Sequence, residues 1–263
     1  MRRVEIDIGS KFEHNDFTGF EAQPSVRITW MAEENHAVWG AISRAVRTPT
    51  RFDTDIRFGP PGLAIFGNPN FQSENLTAYE VGYRARRTNR LSFDVTTFIN
   101  TYEDLRSLEF RPPNQIFETN NLPGKTYGGE VDGSVDVASW MRLHASYAYL
   151  FKRLKSAPGT RDFFNGSLEG NETRHQFQVQ ASTNLPGRVE YDTTLRFVSR
   201  LPDPVVPRYM ELDARLGWDA TRNVELSIVG RNLLDTQHPE FGPPSPFRVE
   251  VERNIYGRLA FRF

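Results

Sequence analysis

The sequence predicts an all-β protein: an antiparallel meander of about twelve strands, with the pattern of a transmembrane β-barrel. Three observations carry this. Apolar residues recur at every second position through most of the chain, the connections alternate between short and long, and no window approaches the ~18 apolar residues that a membrane helix needs. Mean hydropathy is −0.55, yet a membrane strand requires only about 9–11 residues with alternate positions apolar, so a polar composition does not argue against a barrel.

The strands are expected at residues 2–13, 20–31, 35–46, 75–87, 90–111, 115–137, 139–151, 172–184, 187–200, 208–219, 222–232 and 252–263. The period is clearest in RLSFDVTTFINTY, where Leu91, Phe93, Val95, Thr97 and Ile99 share one face and Ser92, Asp94, Thr96 and Asn100 the other. Val189, Tyr191, Thr193, Leu195 and Phe197 likewise oppose Arg188, Glu190, Asp192, Thr194 and Arg196. At a helical period these residues would scatter around the axis. Two segments read less cleanly. NNLPGK interrupts the strand at 115–137 as a bulge or a turn, and HAVWGAIS is apolar on both faces.

Short connections fall at AEEN, RRTN, VASW, LPGR and DATR. The other set consists of NDFTGF, Arg47–Glu74, RPPN, Lys152–Asn171, LPDPVVP and DTQHPEFGPPSPFRVE. Short turns at one end and mostly long loops at the other match the periplasmic and extracellular ends of an outer-membrane barrel. In RAVRTPTRFDTD a strand leaves the sheet: Pro49 cannot donate to a ladder, and Arg44, Arg47 and Arg51 lie at or beyond the polar rim. A soluble antiparallel protein would also alternate, as would a surface adhesive one. The span of the strands and the aromatics near their ends, among them Trp30, Tyr83, Tyr102, Trp140, Tyr149, Trp218 and Phe263, favour the membrane reading.

Composition removes several function classes. With 32 basic and 33 acidic residues interspersed there is no basic track for nucleic acid, and with no cysteine there is no disulfide framework or thiolate site. The five histidines are dispersed, the wall carboxylates form no acid–base pair, and neither a metal, a cofactor nor a catalytic residue is expected.

Several stretches resemble one family in order along the chain. HAVWGAISRAVRTPTRFDTD is similar to a strand and the following loop of TonB-dependent outer-membrane receptors. GNPNFQSENLTAYEVGYR matches that family's pattern at Asn68-Pro69, Glu74, Tyr79-Glu80 and Gly82. LSFDVTTFINTYEDLRSLE and YGGEVDGSV resemble the next ascending and returning strands, VGRNLLDTQHPEFG the penultimate strand and last large loop, and ERNIYGRLAFRF the closing strand.

The resemblance implies that residues 1–263 form the C-terminal portion of a twenty-two-stranded barrel, without the N-terminal plug through which a TonB-type energy-transducing protein is contacted. It implies uptake of a scarce nutrient, in particular a siderophore-like iron complex, in the bacterial outer membrane. It also marks terminal Phe263 as the signal read by the barrel assembly machinery. A passive pore of about twelve strands and a soluble carbohydrate-binding β protein are the alternatives.

Candidate ligand contacts are Arg44, Arg47 and Arg51 at the loop mouth, since a guanidinium holds anionic oxygen groups, with Phe58, Phe66 and Phe71 for apolar contact. Both sets have a structural alternative: pairing with carboxylates across strands, and pinning the loop to its neighbours. Arg142, His144, Glu190, Asp192, Arg196, Glu211 and Asp213 fall on polar strand faces and are expected to line the lumen.

Overall fold

A computed structural model describes residues 3–59, 62–88, 90–160, 162, 171–242, 245 and 247–262. The terminal Phe263 lies outside the described residues. In chain order the elements are β1 (Arg3–Asn15), β2 (Gly19–Glu33), β3 (His36–Arg47), α1 (Arg51–Asp55), β4 (Arg57–Phe58), β5 (Ala64–Phe66), β6 (Glu74–Thr88), β7 (Leu91–Arg111), β8 (Gln115–Ala138), β9 (Met141–Leu154), β10 (His175–Leu185), β11 (Val189–Val198), β12 (Tyr209–Asp219), β13 (Val224–Arg231), β14 (Gln237–His238), β15 (Val251–Glu252) and β16 (Asn254–Phe261). The long strands pair in the order β1-β2-β3-β6-β7-β8-β9-β10-β11-β12-β13-β16, each beside its neighbour in sequence apart from the short loop strands. Such a meander brings together only segments that a turn or loop already joins.

The chain divides into two compact units. The first comprises Met1–Gly82, Thr97–Gly128 and Phe151–Glu169, the second Tyr83–Thr96, Gly129–Leu150 and Gly170–Phe263.

In the first unit, β1 is an edge strand among the described residues, paired on one side with β2 from Arg3↔Met31 to Asn15↔Gly19. Its turn is built by Asn15, whose side-chain oxygen accepts the N–H groups of Phe17 and Thr18 at 2.9 Å, and by Gly19 at φ 76°. The register sets Val4 opposite Trp30, Ile6 opposite Ile28 and Ile8 opposite Val26 on one face, and Asp7 opposite Arg27 on the other. Ile8 remains 78% exposed and Ile6 60%. Among the described residues no second layer packs on this apolar face, unlike the inner face of a sandwich.

HAVWGAIS is a regular strand, and its second apolar face has a specific job. Trp39 lies on the polar side, where the Arg27 guanidinium stands 4.3 Å from its ring centroid. The same indole crosses Gly82 on β6 so closely that a Cβ there would come within 2.3 Å of it. Gly82 is thus glycine because an aromatic ring occupies the space of a side chain.

NNLPGK is neither turn nor break. β8 runs through it, the Pro123 carbonyl accepting the Lys155 N–H at 3.1 Å, and Gly124 leaves room for Leu154.

The second unit repeats the two-faced pattern. Leu195 pairs with Leu212, Phe197 with Met210, Leu216 with Ile228 and Leu226 with Leu259 on the apolar face. On the opposite face Asp192 pairs with Arg215 and Arg196 with Glu211. Here β16 is the edge strand among the described residues, joined to β13 from Val224↔Phe261 to Arg231↔Asn254.

The GRNLLD stretch closes β13 by a defined turn. Asn232 adopts φ 50°, its N–H donates to Asp213 Oδ1 at 3.0 Å, and its amide group donates to the Val251 carbonyl at 3.1 Å. Leu233 then folds over Gly230, where a Cβ would meet it at 2.7 Å.

Gly82→Val should overpack this wall. We expect a loss of about 1–3 kcal/mol in an equilibrium refolding titration, with a changed Trp39 fluorescence environment. An unchanged midpoint and spectrum would show that the close Gly82–Trp39 approach does not constrain the sheet.

Candidate functional site

The stretch between β3 and β6, aperiodic in sequence, contains α1, the β4–β5 hairpin and a parallel ladder of β5 on β8 from Ala64↔Gln115 to Phe66↔Phe117. A short-range signal for α1 was present in the sequence. Thr50 and Asp53 have the spacing of a capping box, and the Thr50 N–H and hydroxyl both donate to Asp53 Oδ2 at 2.8 Å. Gly67 lies so close to Thr54 that a Cβ would reach its backbone at 2.5 Å, which locks the hairpin against the helix.

Asp53, only 2% exposed, faces Arg47. Arg47 donates to Asp53 Oδ2 at 3.0 Å and grips both oxygens of Glu74 at 2.7 and 2.9 Å. Glu74 in turn accepts the Arg106 N–H at 2.8 Å, and the Arg106 side chain forms a two-bonded pair with the fully buried Glu118. The guanidinium of Arg106 stands 5.0 Å from the Phe52 centroid. Planar cations with two-point contacts suit such a network, because each carboxylate keeps a partner when the loop excludes water.

A second set of bonds anchors the far end of the loop. Asn120 exchanges bonds with the Gln72 backbone at 2.8 and 3.1 Å and also donates to the Asp104 carbonyl at 2.7 Å. Glu21 accepts the Ser73 hydroxyl at 2.6 Å and that of Thr18 at 2.8 Å.

The six loop-mouth residues therefore occupy different situations. Arg44 donates to the Ala22 carbonyl and to Asn75, with Glu21 at 3.7 Å. Arg47 is the central tie just described. Phe71 is buried at 2%, beneath the Arg47 guanidinium at 5.7 Å, and Phe66 stacks on Phe117 at 5.1 Å. These four occupy the pairing and pinning roles. Arg51 instead reaches outward, its side chain 86% exposed and bonded to Asp55, while Phe58 is 68% exposed and Phe52 half exposed. Sequence reasoning missed Asp53, Phe52, Arg106 and Glu118. The last two are twelve residues apart and meet only through the β7–β8 register.

The residues expected to line a lumen share the polar face and are cross-linked. Arg215 contacts Glu190 and Asp192 at 2.9 Å and Glu225 at 2.5 Å, Arg196 contacts Glu211 at 2.5 Å, and Asp213 holds Asn232. Arg142 pairs with Asp136 at 2.6 Å and His144 stands 3.1 Å from Asp132. Among the described residues no group of three or more histidine or acidic side chains could hold a metal. The arrangement can order a loop and present cations and rings.

Burial pushes the Asp53 carboxyl up, but bonds from Arg47 and from the Thr50 N–H and hydroxyl outweigh it and hold it below the ordinary aspartate value. A lowered carboxyl contributes stability above its unfolded value and loses it as pH falls through the folded one. The loop should therefore resist proteolysis from neutral pH down to about pH 5 and lose that resistance below about pH 4. Asp53→Asn should cost about 2 kcal/mol of loop protection at pH 7 and flatten this acid transition. Equal cleavage of both forms at neutral pH would remove the loop-anchoring role from Asp53.

Comparison with known proteins agrees with this architecture. The family described as TonB dependent receptor-like, beta-barrel matches residues 3–233. The iron-regulated outer membrane virulence protein of Vibrio cholerae serotype O1 is 22% identical over 265 aligned positions, covering 91% of this chain. The chain spans 40% of that relative's length. The ferric enterobactin receptor of Pseudomonas aeruginosa superposes with a TM-score of 0.78 at 14% identity, over 99% of this chain and 43% of its own. A copper transporter superposes at 0.68 with 16% identity, over 99% of this chain and 44% of its own. Both solved structures are named for binding or transport rather than for a reaction. With a family match over most of its length and the same two-faced antiparallel meander, the chain belongs to the TonB-dependent receptor family, as a C-terminal-like portion of the outer-membrane β-barrel.

Proposed function

We propose that the protein to which this chain belongs takes up a scarce nutrient, an iron–siderophore complex, and that the loop between β3 and β6 is one of its ligand-contacting surfaces. The observation carrying this reading is the contrast between the side chains that tie that loop to its neighbouring strands and those it leaves outside. Arg47, Asp53, Glu74, Arg106 and Glu118 satisfy one another and hold the loop in place, while Arg51, Phe52 and Phe58 stay exposed. A preordered segment presenting a cation beside aromatic rings suits an anionic, ring-bearing iron chelate, because little conformational entropy remains to be lost on binding. The ferric enterobactin receptor that the chain resembles supports the same ligand class.

In this reading the bilayer meets the apolar strand face. The lumen is lined by the polar face carrying Arg142, His144, Glu190, Asp192, Arg196, Glu211 and Asp213. Energy enters through a TonB-type protein acting on a plug, and Phe263 is read by the barrel assembly machinery. The process is binding and passage, without covalent chemistry.

The protein, in the longest form its gene encodes, should bind a ferric catecholate in a fluorescence titration. The double variant R51Q/F58A should bind roughly tenfold more weakly, a loss of about 1.4 kcal/mol, with unchanged thermal stability. Binding indifferent to both substitutions would remove this loop from recognition. Failure to bind any ferric chelate, together with ion leakage from vesicles carrying the protein, would favour the passive pore.

A further inference from the structure

We propose that Lys125, Arg153 and Lys155 form a docking patch for the phosphorylated headgroup of an outer-leaflet glycolipid. The argument starts from register. The Ala157 N–H bonds the Asn121 carbonyl at 2.9 Å and the Lys155 N–H bonds the Pro123 carbonyl at 3.1 Å. Continuing inward, Gly124 lies beside Leu154, and the Tyr127 and Phe151 rings meet at 4.9 Å between centroids. Lys125 therefore stands directly opposite Arg153, one pair outward of the two rings, with Lys155 one further pair along.

All three cations are on the face that meets lipid. On β8 the polar side is marked by Thr126, which accepts a bond from Asn100 at 3.1 Å, so Lys125 and Tyr127 project the other way. On β9 the face of Arg153 and Lys155 is that of Phe151, and Lys152 belongs to the opposite one. Lys125, Arg153 and Lys155 are all exposed. Among the described residues none of the three side chains has a carboxylate partner, although the chain's arginines elsewhere are repeatedly paired.

Like charges directly opposite on adjacent strands repel, and a native sheet normally separates them or supplies a counter-ion. Here no counter-ion comes from the described protein, and the position says what could supply one. Rings at the end of an apolar strand face lie at the boundary between hydrocarbon and headgroups. One residue pair outward is about 7 Å, at the depth of headgroup phosphates. The adjoining Tyr127–Phe151 surface can take the acyl and sugar portion while the three cations take the phosphate. The loop beyond Lys155 thereby gains a fixed attachment at the membrane surface.

The test uses the protein, in the longest form its gene encodes, in nanodiscs, with bisphosphorylated lipid A and its dephosphorylated form as probes and retained lipid counted by native mass spectrometry. The wild type should retain the phosphorylated form in preference. K125Q/R153Q/K155Q should bind it roughly 100-fold more weakly, at about fivefold per cation. The charge-preserving K125R/R153K/K155R should stay within about threefold of the wild type, and Lys11→Gln, on the polar face of β1, should change nothing. Equal retention of the two lipid forms by the wild type would overturn the proposal even if the glutamine variant failed to fold. So would undiminished lipid A binding by that variant, or complete displacement by millimolar inorganic phosphate, which would mark a site for the free anion.

Discussion

A backbone amide that leaves water needs another partner, and in hydrocarbon only a neighbouring strand can supply one for an extended chain. Each long segment of this protein pairs with the segment next in the meander, and the two-residue alternation of side chains follows from that ladder. Once Leu195 is set opposite Leu212, Asp192 must be opposite Arg215 on the other side of the same sheet. A slip of one residue would expose every charge to lipid, so the hydrophobic pattern and the register reinforce each other. Exposed residues such as Ile8, Ile228 and Leu259 are then not packing failures but the surface that this fold offers to the bilayer.

Charge on the other face is managed by local neutralisation rather than by burial alone. Arg215 gathers three carboxylates from the two strands that flank its own, and Arg47 links α1 to the first residue of β6. Each such pair is modest where solvent reaches it. Around the loop between β3 and β6, where Asp53 on α1 and Glu118 on β8 are nearly or wholly buried, losing one partner leaves a charge with nowhere to go. The same residue type therefore serves wall and loop with different energetic weight. The loop also shows how recognition and scaffold can share one segment, with Arg47 turned into the network and Arg51 turned out of it.

The glycines and the asparagine in the family-like motifs have physical roles that their letters do not announce. Gly82 is required by the Trp39 ring, Gly230 by Leu233, and Asn232 by a positive φ whose amide ties two ends of the last loop. Gly82 and Asn232 depend on residues brought close by a strand or a loop, whereas Leu233 lies three residues from Gly230 and turns back on it. Pro123 shows the opposite case. A residue that locally suggests a turn is accommodated within β8 because its carbonyl still finds the Lys155 N–H.

The strands, their two faces and the alternation of connections were legible in the sequence because a period of two is a local property and hydrocarbon on one side enforces it without a break. The capping box of α1, a contact between residues three apart, is a local signal of the same kind, and the sequence reading passed over it. What only the tertiary structure decided is which arginines are consumed and which remain. Arg44, Arg47 and Arg51 look alike along the chain, and so do Phe58 and Phe66. Their different fates depend on where Glu21, Glu74 and Phe117 arrive, and those arrivals are set by strand register and loop closure, which couple residues too distant for any local pattern to record.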